Sequence, residues 1–452
     1  MVGSAVARIF RFVNSLEAYL DPSRSATNEP TNSAARLFVR IIRRILRLGR
    51  NVLKYLAGRK VTTMIRLSVH RDVAIHLPPR VEIRPSARGL NIVGSFNAES
   101  GLGEWTRSSI RAARSAMIGI NLIQCNVREF ARTNDNIGLE SESDSLFDVS
   151  LFHFNPLQIY ANIDELAPHF DSGYNIGCWI WEVTEIPAEW KPLFDLFNEI
   201  WTPTEFCCQA IQSTTSIPVT RIPISVAPEV PSGYDRKRLG LPETGFIFVT
   251  VADFYSCAER KNPLGVLEAY KMAFGSRSDL YLVVKISNAS HRPDIMKIIQ
   301  EHLDRDDSII PFLDYLDRPV LNALIASCNC LVSLHRAEGF GLPIAEAMFM
   351  GKPVIATGWS GNMDFMNEHN SLPVNYQVVE ICEDNPDIPY KNGWHWAEPD
   401  LTHASELMRL VVNAPDLTDR IGGQAMNDIR DQLSPEAVGA LMKRRLAELR
   451  QI

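Results

Sequence analysis

Paired cysteines, a long apolar run and a nucleic-acid charge signature are all missing from this chain, and each absence removes a class of protein. Eight cysteines in 452 residues are too sparse for a disulfide framework. None shows the C-x-x-C spacing of a zinc site. Cys328 and Cys330 alternate within an apolar run, and Cys207 and Cys208 likewise suit packing better than ligation. No stretch reaches the roughly 18 apolar residues that a membrane-spanning helix needs. Arg8 and Arg11 interrupt the first apolar stretch and no small-residue cleavage site follows, so a cytoplasmic protein without a secretory leader is expected. With 25 glycines, 27 prolines, 46% hydrophobic and 22% charged residues, disordered and collagen-like classes are also excluded. At about 100–200 residues per domain, the length predicts two or three domains.

Acids are absent from one segment in particular. Residues 30–71 hold eleven Lys or Arg and no Asp or Glu, which leaves 35 basic against 53 acidic residues elsewhere. The body is therefore acidic and unsuited to nucleic acid. Within the basic segment, Leu37, Ile41, Ile45, Leu48 and Val52 recur at three- and four-residue steps among Arg40, Arg43, Arg44, Arg47 and Lys54. That spacing predicts an amphipathic helix over about residues 34–60, with Gly49 as a weak point. It would lie on an anionic membrane surface or dock on the body by its apolar stripe. The unbroken basic run favours the membrane.

From about residue 88 onward, strand and helix signals alternate as in a doubly wound parallel sheet. Strands are expected at residues 89–96, 147–156, 176–181 and 199–206. A loop carrying Gly101 and Gly103 precedes a helix from about residue 105 to 117. A proline-rich hinge at 222–233 precedes a second set of strands at 246–254, 281–287, 330–335 and 353–357. Two Rossmann-like domains joined in this way place their strand ends across a shared cleft. Ser434 and Pro435 open a closing helix.

The most informative stretch is SLHRAEGFGLPIAEAMFMGKPVIAT, residues 333–357. A buried strand ends near His335, followed by a loop of Gly339, Phe340 and Gly341. Pro343 suits a helix's first turn, and Gly351 with Pro353 stops that helix after Met350. A helix N-terminus aimed into a cleft attracts anions, and glycines let backbone approach them. Glu338 precedes the loop, and Glu346 leans back toward it. Two carboxylates would repel a bare phosphate, so they fit better as acceptors for sugar and ribose hydroxyls.

Glu338, seven residues and Glu346 within EGFGLPIAEAMFMGKPVIA resemble the signature of the retaining family-four glycosyltransferases, of the group 1 type. The similarity covers most of residues 89 to about 400 and is strongest in the second half. A helix that carries two acids for structural reasons alone is disfavoured, because loop, proline, glycine stop and following strand are all in place. The resemblance implies the GT-B fold. On that basis, residues 1–85 are an N-terminal extension and 86–225 an acceptor-side Rossmann-like domain. Residues 226–415 are a nucleotide-sugar-binding Rossmann-like domain and 416–452 closing helices.

The resemblance further implies that Glu338 contacts the donor sugar and that Glu346 takes the ribose hydroxyls. Backbone N–H groups from Gly339, Phe340, Gly341 and Leu342 would reach the sugar or diphosphate. In AERKNP, Asn262 caps and Pro263 begins a helix, so Lys261 stands before its N-terminus, placed to neutralise a leaving diphosphate. The family pairs this lysine with an arginine after the preceding strand. Here Asp253 and Phe254 occupy that region, and Arg260 is the substitute.

The Gly101 and Gly103 loop lacks the third glycine of a dinucleotide fingerprint, since Thr106 stands there. It is expected to face the diphosphate and acceptor. His153, ending a first-half strand, is placed by resemblance near the donor sugar. His335, Arg336, and the loop of Ser360, Gly361 and Asn362 are expected to line the donor side. Leu313, Asp314 and Tyr315 resemble a segment that meets the nucleobase. Asp304 and Asp306 form a D-x-D away from every other motif, so no metal site and no cofactor are expected.

The implied reaction moves a hexose, mannose as first choice, from a nucleoside diphosphate sugar to a glycan or lipid-linked acceptor in envelope polysaccharide synthesis. It would retain anomeric configuration on the inner face of the cytoplasmic membrane. The competing readings are a catalytically degenerate scaffold at the membrane and a nucleotide-sugar epimerase or phosphorylase. A dehydrogenase is weakest, given its incomplete glycine fingerprint.

Overall fold

The computed structural model describes residues 89–125, 132, 139, 146–170, 173–275, 279–382 and 390–449. The basic helix expected at about residues 34–60 lies outside them. Two parallel six-stranded sheets carry the architecture, which is the GT-B fold. In the first sheet the strands are β1 (Gly89–Gly94), β2 (Gly119–Gln124), β3 (Val149–His153), β4 (Tyr174–Cys178), β5 (Glu199–Thr202) and β6 (Val219–Arg221), ordered β2-β1-β3-β4-β5-β6. Every residue of β1 and of β3 is buried, as strands covered on both faces require. Strand order reverses between β1 and β3, whose carboxyl ends pair Gly94 with His153. That is the crevice where open α/β sheets hold ligands.

The helix after β1, α1 (Gly101–Ser115), begins four residues earlier than the apolar pattern indicated. Ser100 supplies the reason, because its hydroxyl accepts from Gly103 N–H at 3.1 Å and caps the first turn. The expected glycine loop is thus the first turn itself. Gly103 is sterically obligatory there, since an added Cβ would stand 2.1 Å from the Ala98 carbonyl oxygen.

The second sheet contains β7 (Phe246–Asp253), β8 (Leu280–Ser287), β9 (Ile309–Phe312), β10 (Cys330–Ser333), β11 (Val354–Thr357) and β12 (Leu372–Val374), ordered β12-β11-β10-β7-β8-β9. Its switch point falls between β7 and β10, which lead directly into the AERKNP and Glu338 segments. Five helices surround that switch point and the crevice opposite it: α2 (Glu205–Gln212), α3 (Ala258–Lys261), α4 (Pro263–Phe274), α5 (Arg318–Ser327) and α6 (Leu342–Phe349).

Two features join the halves. The closing helices α7 (Pro415–Leu433) and α8 (Pro435–Leu449) return the chain to the first sheet, where α8 lies along α1. Gly439 permits that approach, because a Cβ there would meet the Ala112 carbonyl oxygen at 2.2 Å. Arg445 of α8 forms a forked ion pair with the fully buried Glu199 of β5, at 2.9 and 3.0 Å. The second feature is an antiparallel hairpin, β13 (Tyr376–Glu380) and β14 (His395–Pro399). Its connecting segment carries Tyr390 and Trp394 onto Trp181 of the first half, with ring centroids at 5.4 and 6.2 Å. Tyr390 also donates to Glu182 at 3.1 Å, and Lys391 pairs with Glu189 at 3.0 Å. Among the described residues, no helix is long and apolar enough to cross a membrane.

Candidate active site

At the switch point of the second sheet, α3 follows β7 and the Glu338 loop follows β10. Asn262 ends α3 in the left-handed conformation at φ 50° and caps α4 by accepting from Gly265 N–H at 3.1 Å. Lys261, just before it, is thereby fixed at the mouth of a helix N-terminus. Its Nζ donates to Oε1 of Glu338 in a direct ion pair. The Glu338 backbone is held from both sides. Its N–H donates to Ser360 Oγ at 2.8 Å, and its carbonyl accepts from Gly361 N–H at 2.8 Å. Ser360 (φ 77°), Asn262 and Cys257 (φ 70°) are non-glycine residues with positive φ. Three such residues around one ion pair mark a site whose geometry is over-determined by its surroundings.

Glu338 is 7% exposed. Burial by itself raises its carboxyl, but Lys261 and then Arg260 outweigh that and hold it down at about 2. It is therefore an ionised hydrogen-bond acceptor, not a proton donor, at neutral pH. Arg260, 3% exposed, approaches Glu338 at 3.3 Å and Glu182 at 3.7 Å. It also donates to the carbonyls of Ala337 at 2.6 Å and Ser256 at 3.0 Å.

The remaining motif residues separate into builders and liners. His335 is fully buried, and burial lowers its basicity. Its Nε2 faces the Trp359 carbonyl at 3.4 Å and Asn362 Oδ1 at 3.0 Å, both acceptors because Asn362 Nδ2 already donates to Thr357. The proton therefore sits on Nε2, and Ser333 Oγ donates to Nδ1 at 3.0 Å. His335 and Asn362 thus brace the Ser360 loop. Arg336 turns away from Glu338 to grip Glu398 of β14 with two bonds, at 2.5 and 3.0 Å. Its Nη1 donates to the Glu259 carbonyl at 2.6 Å.

Phe340 is a core residue packed against Phe365, ring centroids 5.2 Å apart, so only its backbone is available to a ligand. Gly341, at φ 90°, opens α6, and Leu342 begins it with Pro343 in the first turn. Gly339 is pressed onto the first half, where Thr204 Oγ1 donates to its carbonyl at 2.9 Å. A Cβ at Gly339 would meet Ile180 at 2.4 Å, and one at Gly361 would meet the Gly339 carbonyl at 2.2 Å.

Glu346, 4% exposed, does not touch the Lys261–Glu338 pair. Its Oε1 is ion-paired with Arg318, the first residue of α5, and its Oε2 has no hydrogen-bond partner among the described residues. Sequence reasoning missed Arg318. It looks like an ordinary helix-opening arginine, and only the tertiary fold gives it a partner. Arg318 also feels Glu104, Arg107 and Arg111 of α1, so that side of α1 faces the same region, while Gly103 packs on the Ala98 and Ser95 carbonyls.

On the first sheet, His153 is 1% exposed, packs edge-on to Trp105 at 5.3 Å, and has no partner on either ring nitrogen among the described residues. Burial lowers it to about 3, so the ring is neutral. Tyr315 bonds to Glu99 and lies under Arg132 at 4.8 Å. Asp253 is occupied by Tyr255 N–H and Asn288. Among the described residues, no group of three or more His, Cys, Asp or Glu is arranged to hold a metal ion. Asp306 instead accepts from Ser308.

Residues 233–428 match the family model of "Glycosyl transferases group 1". Residues 233–428 thus resemble a group 1 glycosyl transferase domain. Alpha-1,3/1,6-mannosyltransferase ALG2 of Homo sapiens is 23% identical over 164 residues, 36% of this chain and 34% of that protein. The chain thus matches about a third of that relative's length. Among solved structures, sucrose-phosphate synthase from Thermosynechococcus elongatus superposes with a TM-score of 0.59 at 14% identity, over 80% of this chain and 99% of that one. Anabaena Alr3699/HepE, solved with UDP and glucose, superposes with a TM-score of 0.56 at 11% identity, over 80% and 100%. These likenesses are of fold, and the family match lies in the half that carries Lys261, Glu338 and Glu346.

Proposed function

We propose that this group 1 transferase moves a hexose from a nucleoside diphosphate sugar to a hydroxyl of a glycan or lipid-linked acceptor, with retention at the anomeric carbon. The observation that carries the reading is the Lys261–Glu338 pair at the switch point, beside the glycine-opened N-terminus of α6. That arrangement offers an ammonium and a helix dipole for a diphosphate, and an ionised carboxylate for sugar hydroxyls. Glu346 would take the ribose hydroxyls, and backbone N–H groups from Gly339 to Leu342 would face the sugar and phosphates.

In the reaction, the bond from the anomeric carbon to the diphosphate oxygen breaks as the acceptor oxygen bonds to the same face. The acceptor's proton passes to the leaving diphosphate oxygen. A carboxylate nucleophile is then unnecessary, unlike in retaining glycosidases. Lys261 stabilises the negative charge that grows on the leaving group. His153, neutral at the end of β3, would position the sugar by hydrogen bonds. Mannose is the first choice of hexose, supported by the match to a protein named as a mannosyltransferase. The basic segment at residues 36–60 would hold the enzyme on the inner face of the cytoplasmic membrane, where lipid-linked acceptors of envelope polysaccharides are met.

The test is a thermal-shift panel of UDP, GDP, ADP and their sugar conjugates, with and without EDTA. Stabilisation by one diphosphate series, unaffected by EDTA and lost in Lys261→Ala and Glu346→Ala, is the expected result. Indifference to every nucleotide, repeated with anionic vesicles present, would favour a membrane scaffold instead. Release of sugar phosphate that depends on inorganic phosphate, or an epimerised donor without acceptor, would replace transfer by those chemistries.

A further inference from the structure

A nucleoside diphosphate carries two to three negative charges, and Lys261 with one helix N-terminus supplies only about one and a half positive ones. The neighbouring arginines are spent. Arg260 is buried, with its Nη groups on the Ala337 and Ser256 carbonyls. Arg336 is committed to Glu398 and the Glu259 carbonyl. We propose that Arg318 is the second cation of the donor site, held beside Glu346 until a diphosphate draws its guanidinium across, an inference that rests on the glycosyl-transfer reading.

Three observations support it. Arg318 has its side chain 32% exposed, against 4% for Arg260, while the Nη2 that meets Glu346 is itself buried. Among the described residues its guanidinium is paired with Glu346 alone, which leaves most of its donors unspent. Charge in its surroundings is also unbalanced. Glu104 is already paired with Arg107 at 2.9 Å and Arg111 at 2.6 Å. Two guanidiniums thus share one carboxylate beside Arg318. A ribose bound at Glu346 places its phosphates one sugar ring away, within the sweep of an arginine side chain. The planar fork of Arg318 suits a phosphate's paired oxygens.

Calorimetric titration of nucleoside, monophosphate and diphosphate, in the base series selected by the thermal-shift panel, separates the possibilities. The proteins are wild type, Arg318→Gln, Arg318→Lys and the surface control Arg305→Gln. The expected result is a loss of about tenfold or more in diphosphate affinity in Arg318→Gln. Nucleoside affinity should be unchanged or tighter, with partial recovery in Arg318→Lys. Equal weakening of nucleoside and diphosphate would overturn the proposal and leave Arg318 as a brace for Glu346. Unchanged diphosphate affinity would also overturn it while the transfer reading stands. If wild type binds no nucleoside diphosphate, the transfer reading itself fails and Arg318 falls with it.

Discussion

Lys261 and Glu338 leave the carboxyl ends of two adjacent strands, β7 and β10, and meet as a direct ion pair. A pair so placed has two electrostatic states. Alone, each partner satisfies the other. On the proposed reading, a bound diphosphate would give the ammonium a second anion and free the carboxylate for sugar hydroxyls. Arg260, at 3.3 Å from Glu338, keeps that carboxylate from being stranded without a counter-charge.

The first prediction concerns pH. Glu338 is held at about 2 in the folded protein, below the ordinary glutamate value of about 4.3. A depressed carboxylate contributes stability that is fully present above its unfolded value and is lost as pH falls through the folded one. The pH-dependent part is on the order of 3 kcal/mol. Urea unfolding of wild type and Glu338→Gln should therefore give a free-energy difference that is constant above pH 5 and shrinks between about pH 4.5 and 2. A difference that does not change with pH would place the carboxylate outside the Lys261 and Arg260 field.

The second prediction separates two glycines that the sequence presents alike. A Cβ at Gly339 meets Ile180 at 2.4 Å, whereas one at Gly101 meets nothing within 4 Å. Gly339→Ala should destabilise by about 1–3 kcal/mol through overpacking, with part restored by Ile180→Ala in the double variant. Gly101→Ala should leave the melting temperature unchanged within a degree or two. Any fall in turnover it causes would then report a ligand near the first turn of α1, and wild-type turnover would remove that turn from the site.

The contrast between those glycines reflects what a sequence discloses. The motif at residues 333–357 was legible because each of its signals is local: a buried strand, glycines that open a helix, a proline in its first turn and a glycine stop. The central strands of both sheets were legible for the same reason, as continuous apolar runs. Within the two large sheets, the strands that the pattern did not reveal are β2, β6, β9 and β12, which form their edges. They are short or only partly buried, so their apolar signal is weak. Side-chain destinations were legible least. Nothing local distinguishes Arg336, spent on Glu398, from Arg318, set on Glu346. The contacts of Tyr390, Trp394 and Lys391 with the first half depend on pairing across some two hundred residues.

The third prediction tests how the closing helix is anchored. Glu199 is 0% exposed and accepts from Arg445, Trp201 Nε1 at 3.0 Å and Tyr174 OH at 3.1 Å. Arg445→Met leaves that carboxylate buried without its counter-charge, at a cost of about 3–5 kcal/mol. Replacing Glu199 by Gln in the same protein removes the stranded charge and should recover a good part of the loss. Chemical denaturation of the single and double variants measures this. A double variant no more stable than Arg445→Met would mean that helix packing against α1, and not charge, carries the anchor.

His153 places stability and activity in opposition. Its ring is buried with both nitrogens unpartnered among the described residues, and an unmet polar group in a core costs about 1–3 kcal/mol. Burial also lowers the ring to about 3. The unfolded chain therefore takes up a proton below pH 6.5 that the folded one refuses. Stability is fully present above about pH 6.5 and declines by about 1.4 kcal/mol per unit as pH falls below it. His153→Leu removes both costs. It should raise the melting temperature at neutral pH and reduce the loss of stability between pH 7.5 and 5 by about 2 kcal/mol. If the ring positions the donor sugar, the same substitution should lower kcat/KM by about tenfold or more. A His153→Leu enzyme both more stable and fully active would show that the ring meets no ligand.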